Sequence, residues 1–193
     1  SDPGSNELIE FAEQQYFKAM RATEELLDDF AVERGMGKLR LEPIDLTTLV
    51  SAAIASLQHR FDRKQQVVTT AIDQNVIVDG DAHWLGQLLN ALLSNASKFT
   101  PREGHVQVTL KRDGPSAIVS VQDTGVGLDV PDLVNVFVRY AWLNSRSTEG
   151  EPQGRSTLGR AMSWALAHNG SLTAHSDGAG YGSTFTLRLP STS

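Results

Sequence analysis

The 193-residue sequence contains no cysteine. That excludes a disulfide framework, a thiolate zinc site and a cysteine nucleophile together, and it suits a reducing compartment. Also missing is any apolar run near the roughly 20 residues needed to cross a bilayer, so no membrane contact is expected of this chain. The amino terminus, SDPGSNELIE, has neither the basic start nor the apolar core of a signal peptide. The expectation is a cytoplasmic module, whether or not the full-length protein carries a membrane anchor. Positive charge is short too, with 17 Lys+Arg against 23 Asp+Glu and a formal net charge of −6. Wrapping nucleic acid needs clustered Lys and Arg that release counterions, so no nucleic-acid partner is expected. A chain of this length buries roughly 70% of the surface its unfolded form exposes, enough for one ordinary domain with a small appendage and no metal staple.

Patterning then divides the chain. Residues 1–5 read as a cloning remnant. From Ile9, the residues Ala12, Tyr16, Ala19, Thr23, Leu26 and Phe30 alternate spacings of three and four, the seam of a long helix that packs along other helices. Gly35 and Gly37 end it, and an extended stretch around Leu39 and Leu41 follows. Asp45 stands as an N-cap before Leu46, Leu49, Val50, Ala53, Ile54 and Leu57, one apolar helical face. Two β-rich runs, 67–72 and 75–78, precede a helix with Trp84, Leu85, Leu88, Leu89, Leu92 and Leu93 on its inner side. Residues 106–111 and 117–122 flank Asp113, Gly114 and Pro115, a hairpin signal. A helix over 133–140, a polar loop over 141–154, a helix over 158–168 and strands at 171–175 and 184–189 complete the chain, with a glycine-rich turn at 178–182. Hairpins separated by helices predict an α+β fold, a two-layer α/β sandwich with helices on one face of a sheet.

Three stretches carry candidate chemistry. In DAHWLGQLLNALLSNASKFT, residues 81–100, Asn95 and Lys98 are neighbours on one helix face. Asn offers a neutral hard oxygen for magnesium and Lys a point charge for phosphate, although the same spacing also describes an ordinary exposed polar face. In DTGVG, residues 123–127, a carboxylate at a strand end can accept from an exocyclic amine, and two glycines let backbone approach a flat ring. Alone, that stretch is a turn. In GRSTLGRA, residues 154–161, a loop enters a helix and offers free N–H groups to an anion.

In this order the three stretches resemble the ATP-binding catalytic domain of bacterial sensor histidine kinases, the Bergerat fold shared with type II topoisomerases and mismatch-repair ATPases. The resemblance extends over about residues 6–190. It includes the lead-in LEPIDLTTLV, the N box NASKFTP, the glycine box DTGVG, an F box at 137–140, and the strands HNGSLTAHS and GSTFTLRLP. It implies Mg-ATP as ligand. Asn95 would coordinate magnesium and phosphate, Lys98 would contact phosphate, and Asp123 would bind the adenine amine. Gly125 and Gly127 would shape the adenine pocket, and Thr184 would approach the base through water. Phe137, Arg139, Arg155 and Gly159 complete the implied nucleotide site, with residues 141–154 as an ATP lid. Residues 6–37 would be the second helix of a dimerisation and phosphotransfer hairpin, and residues 38–193 the catalytic domain. A homodimer through the first helix and a response regulator or receiver domain are the implied partners.

Three departures qualify the resemblance. None of His59, His83, His105, His168 and His175 sits in the His-Glu-x-x-x-x-Pro context of a phosphoacceptor. The position four before Asn95 is Ala91 rather than Asn, and Asn90 lies about 100° away around the helix. The second glycine box has lost glycines at Arg155 and Thr157 in one register and at Thr157 in the other, where Gly159 is the second glycine; Arg155 could serve as a phosphate ligand or be a solvated loop residue. The leading expectation is a kinase catalytic domain that presents Mg-ATP to a histidine outside this chain. The alternatives are a degenerate scaffold that docks a regulator or kinase, and a serine kinase of the partner-switching type, which Ala91 disfavours for want of a base.

Overall fold

The computed structural model describes residues 39–138, 148 and 157–192. Contacts divide the chain into two units, Ser1–Leu39 and Arg40–Ser193, and the architecture that follows belongs to the second. The helix expected over residues 6–37 lies outside the described residues.

The element order is β1 (Glu42–Asp45), α1 (Leu46–Arg63), β2 (Val67–Ile72), β3 (Ile77–Gly80), α2 (Ala82–Phe99), β4 (His105–Asp113), β5 (Ser116–Asp123), α3 (Val130–Asn135), α4 (Thr157–Ala167), β6 (Ser171–His175) and β7 (Ser183–Pro190). Five strands form one sheet in the order β2-β4-β5-β7-β6, while β1 and β3 pair in a small second sheet. All neighbours in the large sheet are antiparallel except β2 and β4. Period-two alternation sends Val106, Val108 and Leu110 of β4, Val119 and Val121 of β5, and Phe185 and Leu187 of β7 to one face. There they meet Phe61 of α1, Leu88 and Leu92 of α2, and Ala161 and Ala165 of α4, all buried. The other face carries polar residues such as Ser120 and Thr186, whose hydroxyls lie 3.3 Å apart. This is the expected two-layer sandwich.

Aspartates start the helices. Asp45 accepts from the Thr47 N–H and the Thr48 hydroxyl, and these bonds, that from Thr48 first, hold its carboxyl below the usual range. Asp81 caps α2 by accepting from the His83 and Trp84 N–H groups. Its own N–H donates to Nε2 of buried His168, whose Nδ1 lies 2.7 Å from the Trp164 carbonyl. That pattern puts the imidazole proton on Nδ1. His168 is therefore a satisfied core residue that ties the end of α4 to the start of α2.

Several sequence expectations shift. The run expected as a strand over 75–78 becomes Ile77–Gly80, because Asn75 turns the chain at φ 56° and the Val76 carbonyl accepts from Leu46. Its partner is β1, and the extended stretch expected around 39–41 forms its strand at Glu42–Asp45. The helix expected over 133–140 is Val130–Asn135, since Asp129 accepts from the Asp132 N–H and Pro131 favours the first turn.

Candidate functional site

The C-terminal half of α2, the turn after β5, the start of α4 and the start of β7 line a cavity that opens to solvent. Asn95 and Phe99 of α2 line it, with Gly127 and Leu128 of the DTGVG turn, Val136, Leu158 of α4, and Ser183 and Phe185 of β7. The wall is mostly apolar with few polar groups, the composition expected of a small-molecule cleft.

Asp123 adjoins the cavity through Ser183. Its carboxylate is 3% exposed, so burial raises its pKa, while hydrogen bonds from Ser183 and Gly125 oppose that rise. Oδ1 accepts from the Gly125 N–H at 2.8 Å and the Ser183 N–H at 3.3 Å, and Oδ2 accepts from the Ser183 hydroxyl at 2.6 Å. A carboxylate has about four lone-pair sites, and three are used here. One acceptor position therefore remains on a buried carboxylate beside an apolar cavity.

The turn that follows needs its glycines. A Cβ on Gly125 would overlap the Phe99 carbonyl oxygen and lie 2.6 Å from Asp123 Oδ1. Gly127 has φ 71°, and a Cβ there would overlap the Gly178 carbonyl oxygen. Close packing locks this turn to α2, through Val126 N–H donating to the Phe99 carbonyl, and to the 178–182 turn, through Gly180 N–H donating to Val126.

On α2, Asn95 faces the cavity, and among the described residues its amide has no hydrogen-bond partner. The Lys98 ammonium lies 5.3 Å from the centre of the Phe99 ring, whose residue also lines the cavity. Asn90 turns away, its amide oxygen accepting from Ser56 on α1, and Ala91 is buried in the core. The amide one position off does not replace the missing one.

Residues 80–193 match the family described as histidine kinase-, DNA gyrase B-, and HSP90-like ATPase. The chain belongs to this family. Among relatives of this family member, the circadian input-output histidine kinase CikA of Synechococcus elongatus is 30% identical over 191 residues, covering 92% of this chain and 25% of that protein. The sensor-like histidine kinase SenX3 of Mycobacterium tuberculosis is 32% identical over 185 residues, covering 93% of this chain and 44% of that protein. The chain thus spans a quarter to under half of these relatives. The mycobacterial sensor histidine kinase MprB matches in structure with a TM-score of 0.68 and 26% identity, over 78% of this chain and 98% of that one. The domain is a histidine kinase ATPase catalytic domain in family and fold.

Within that family fold, Asn95 and Gly127 of the expected residues meet on the cavity, and Asp123 and Gly125 adjoin it through hydrogen bonds. Phe137 packs edge-on against cavity-lining Phe185, with ring centroids 6.1 Å apart, while Val136 itself lines the cavity. Gly159 is buried in the first turn of α4, one residue after cavity-lining Leu158. Arg139 and Arg155 lie outside the described residues, as does all of the expected lid over 141–154 except Thr148.

Thr184 lies near the start of β7. It pairs with Gln122 and His175 on the outer sheet face, and the neighbouring Ser183 occupies the inward position beside Asp123. A one-residue change of phase exchanges the two faces of a strand. Phe185 faces the core, and residues two apart on a strand share a face, so Ser183 is directed inward. Ser183→Ala is expected to weaken adenine-nucleotide binding by about threefold to tenfold, while Thr184→Val leaves it unchanged. Calorimetric titration of both variants checks this assignment.

Proposed function

We propose that this domain holds Mg-ATP and presents its γ-phosphate to a histidine that is not in this sequence, as the catalytic part of a sensor histidine kinase. The observation that carries the reading is the buried Asp123 carboxylate, which keeps one acceptor position beside an apolar cavity. An exocyclic amine on a flat ring satisfies that position, and Leu128, Val136 and Phe185 supply the apolar walls. Asn95 and Lys98 then face the phosphate end, where Lys98 contributes charge and Asn95 an oxygen ligand.

Magnesium fits this donor set. It binds through one or two protein oxygens together with phosphate oxygens and water, and Asn95 offers a free amide oxygen. Among the described residues no group of three His, Cys, Asp or Glu side chains competes for the ion. Bound magnesium would neutralise phosphate charge, and the chain's own part is to orient the nucleotide and exclude water from the base. No described residue forms a covalent intermediate in this scheme, because phosphoryl transfer depends on positioning and charge. A response regulator is the proposed recipient of the phosphoryl group, and residues 6–37 the proposed dimerisation helix. No helix of the described residues is long and apolar enough to cross a membrane.

Titration with a non-hydrolysable ATP analogue, with and without magnesium, tests the reading. Magnesium-enhanced binding at micromolar to millimolar ligand is expected, together with no phosphate retained on this chain. Absence of binding at millimolar analogue would defeat the proposal.

A further inference from the structure

A helix ends with four carbonyls that have no partner within it. In α2 these belong to Ala96, Ser97, Lys98 and Phe99, the turn that carries one of the proposed phosphate contacts. The Ala96 carbonyl accepts from the Thr100 N–H and the Phe99 carbonyl from Val126 of the glycine turn. The other two converge on one buried ammonium. Lys64, 1% exposed at the end of α1, donates from Nζ to the Ser97 carbonyl at 2.8 Å and the Lys98 carbonyl at 3.3 Å. The same Nζ donates to the Thr148 hydroxyl at 2.8 Å. Thr148 in turn bonds the Lys98 carbonyl through its N–H at 3.3 Å, and its hydroxyl lies 3.1 Å from the carbonyls of Lys98 and Thr100.

A cation at a helix C-terminus meets the negative end of the helix dipole, and charge-assisted hydrogen bonds are shorter and stronger than neutral ones. Gln66, also buried, adds bonds from its amide to the Ser97 and Thr100 carbonyls. Lys64, Gln66 and Thr148 do not line the cavity. Their joint effect is to fix the backbone from which Lys98 projects and to fasten Thr148, which lies in the second half of the sequence, to that backbone.

We propose that Lys64 is a positioning residue for the phosphate end of the site, acting through the α2 carbonyls and the Thr148 hydroxyl. This proposal rests on the nucleotide reading given above. It separates the two ends of the ligand: Asp123 governs the base, and the Lys64–Thr148 pair governs the phosphates. Adenosine affinity should therefore be insensitive to the pair, and ATP affinity sensitive.

The test compares ATP and adenosine binding by calorimetry in the full chain and in Lys64→Met, Thr148→Val and Thr148→Ser, with a thermal melt of each. Thr148→Val keeps the shape and loses only the hydroxyl, so it remains informative where Lys64→Met fails to fold. The ratio of ATP to adenosine affinity is expected to fall about threefold to tenfold in Thr148→Val, to fall further in Lys64→Met, and to return in Thr148→Ser. Equal losses for both ligands, or an unchanged ratio in Thr148→Val, would overturn the positioning role alone. A wild-type chain that bound neither ligand would overturn the nucleotide reading and this proposal with it.

Discussion

Asp123→Asn is expected to weaken adenine-nucleotide binding by about tenfold to a hundredfold while leaving the fold at least as stable, because the substitution reverses one hydrogen-bonding sense and removes a buried charge. The amide oxygen can keep the bonds from the Gly125 and Ser183 N–H groups that Oδ1 now accepts. The amide nitrogen then takes the place of Oδ2 and donates to the Ser183 hydroxyl, which can accept. Its second hydrogen occupies the remaining acceptor position, where it opposes an adenine amine. Calorimetric titration and a thermal melt read the two effects separately. Undiminished affinity in this variant would remove Asp123 from base recognition.

The same carboxyl fixes the sign of a pH effect. Burial raises its pKa above the ordinary value of 3.8, against the opposing bonds from Ser183 and Gly125. Base recognition needs the ionised acceptor, so nucleotide affinity should fall as pH drops through the raised pKa, and Asp123→Asn should lack this dependence. Stability moves the other way. A carboxyl whose pKa is higher folded than unfolded costs stability once ionised, so its contribution improves as pH falls from above the folded pKa toward 3.8.

Gly127→Ala is expected to destabilise the domain by about 2–4 kcal/mol and lower its melting temperature by about 5–15 °C. Two causes add. The φ of 71° is unfavourable for a residue with a Cβ, and the methyl would overlap the Gly178 carbonyl oxygen. The Cβ position and the carbonyl are both fixed by backbone, with Ser176 Oγ a further neighbour at 3.2 Å, so a side-chain rotation cannot relieve the overlap. Ser176 holds this junction together, accepting from the Leu128 N–H and donating to the Gly182 carbonyl. Displacing it disturbs Ser183 and, through it, Asp123. Gly86→Ala provides the control, since it lies within α2 and its Cβ would meet Leu49 only at an ordinary 3.9 Å. There a gain of about 0.5–1 kcal/mol is expected from helix propensity. Chemical denaturation of both variants against the parent chain checks the opposite signs.

The sequence by itself determined those features that depend on local spacing. Apolar periodicity marked the three long helices of the described domain, the Asp113–Gly114–Pro115 turn marked the β4–β5 hairpin, and the ordered boxes identified the family. Asn95 and Asp123 could be singled out as candidates because each lies in a short motif that is recognisable by itself. Tertiary structure alone decided what depends on partners distant in the chain. Asn75 takes a positive φ, and the run that follows it pairs with β1 while β2 lies parallel to β4. Thr184 and Ser183 are chemically alike, and only the phase of β7 against β5 chooses which one meets Asp123. Lys64 is the strongest case. In sequence it is one of three basic residues at the end of α1, with Arg60 and Arg63, and nothing local distinguishes it from Arg63. It becomes a buried cap because the end of α1 packs beneath the end of α2, 33 residues away, where two helix carbonyls need a donor.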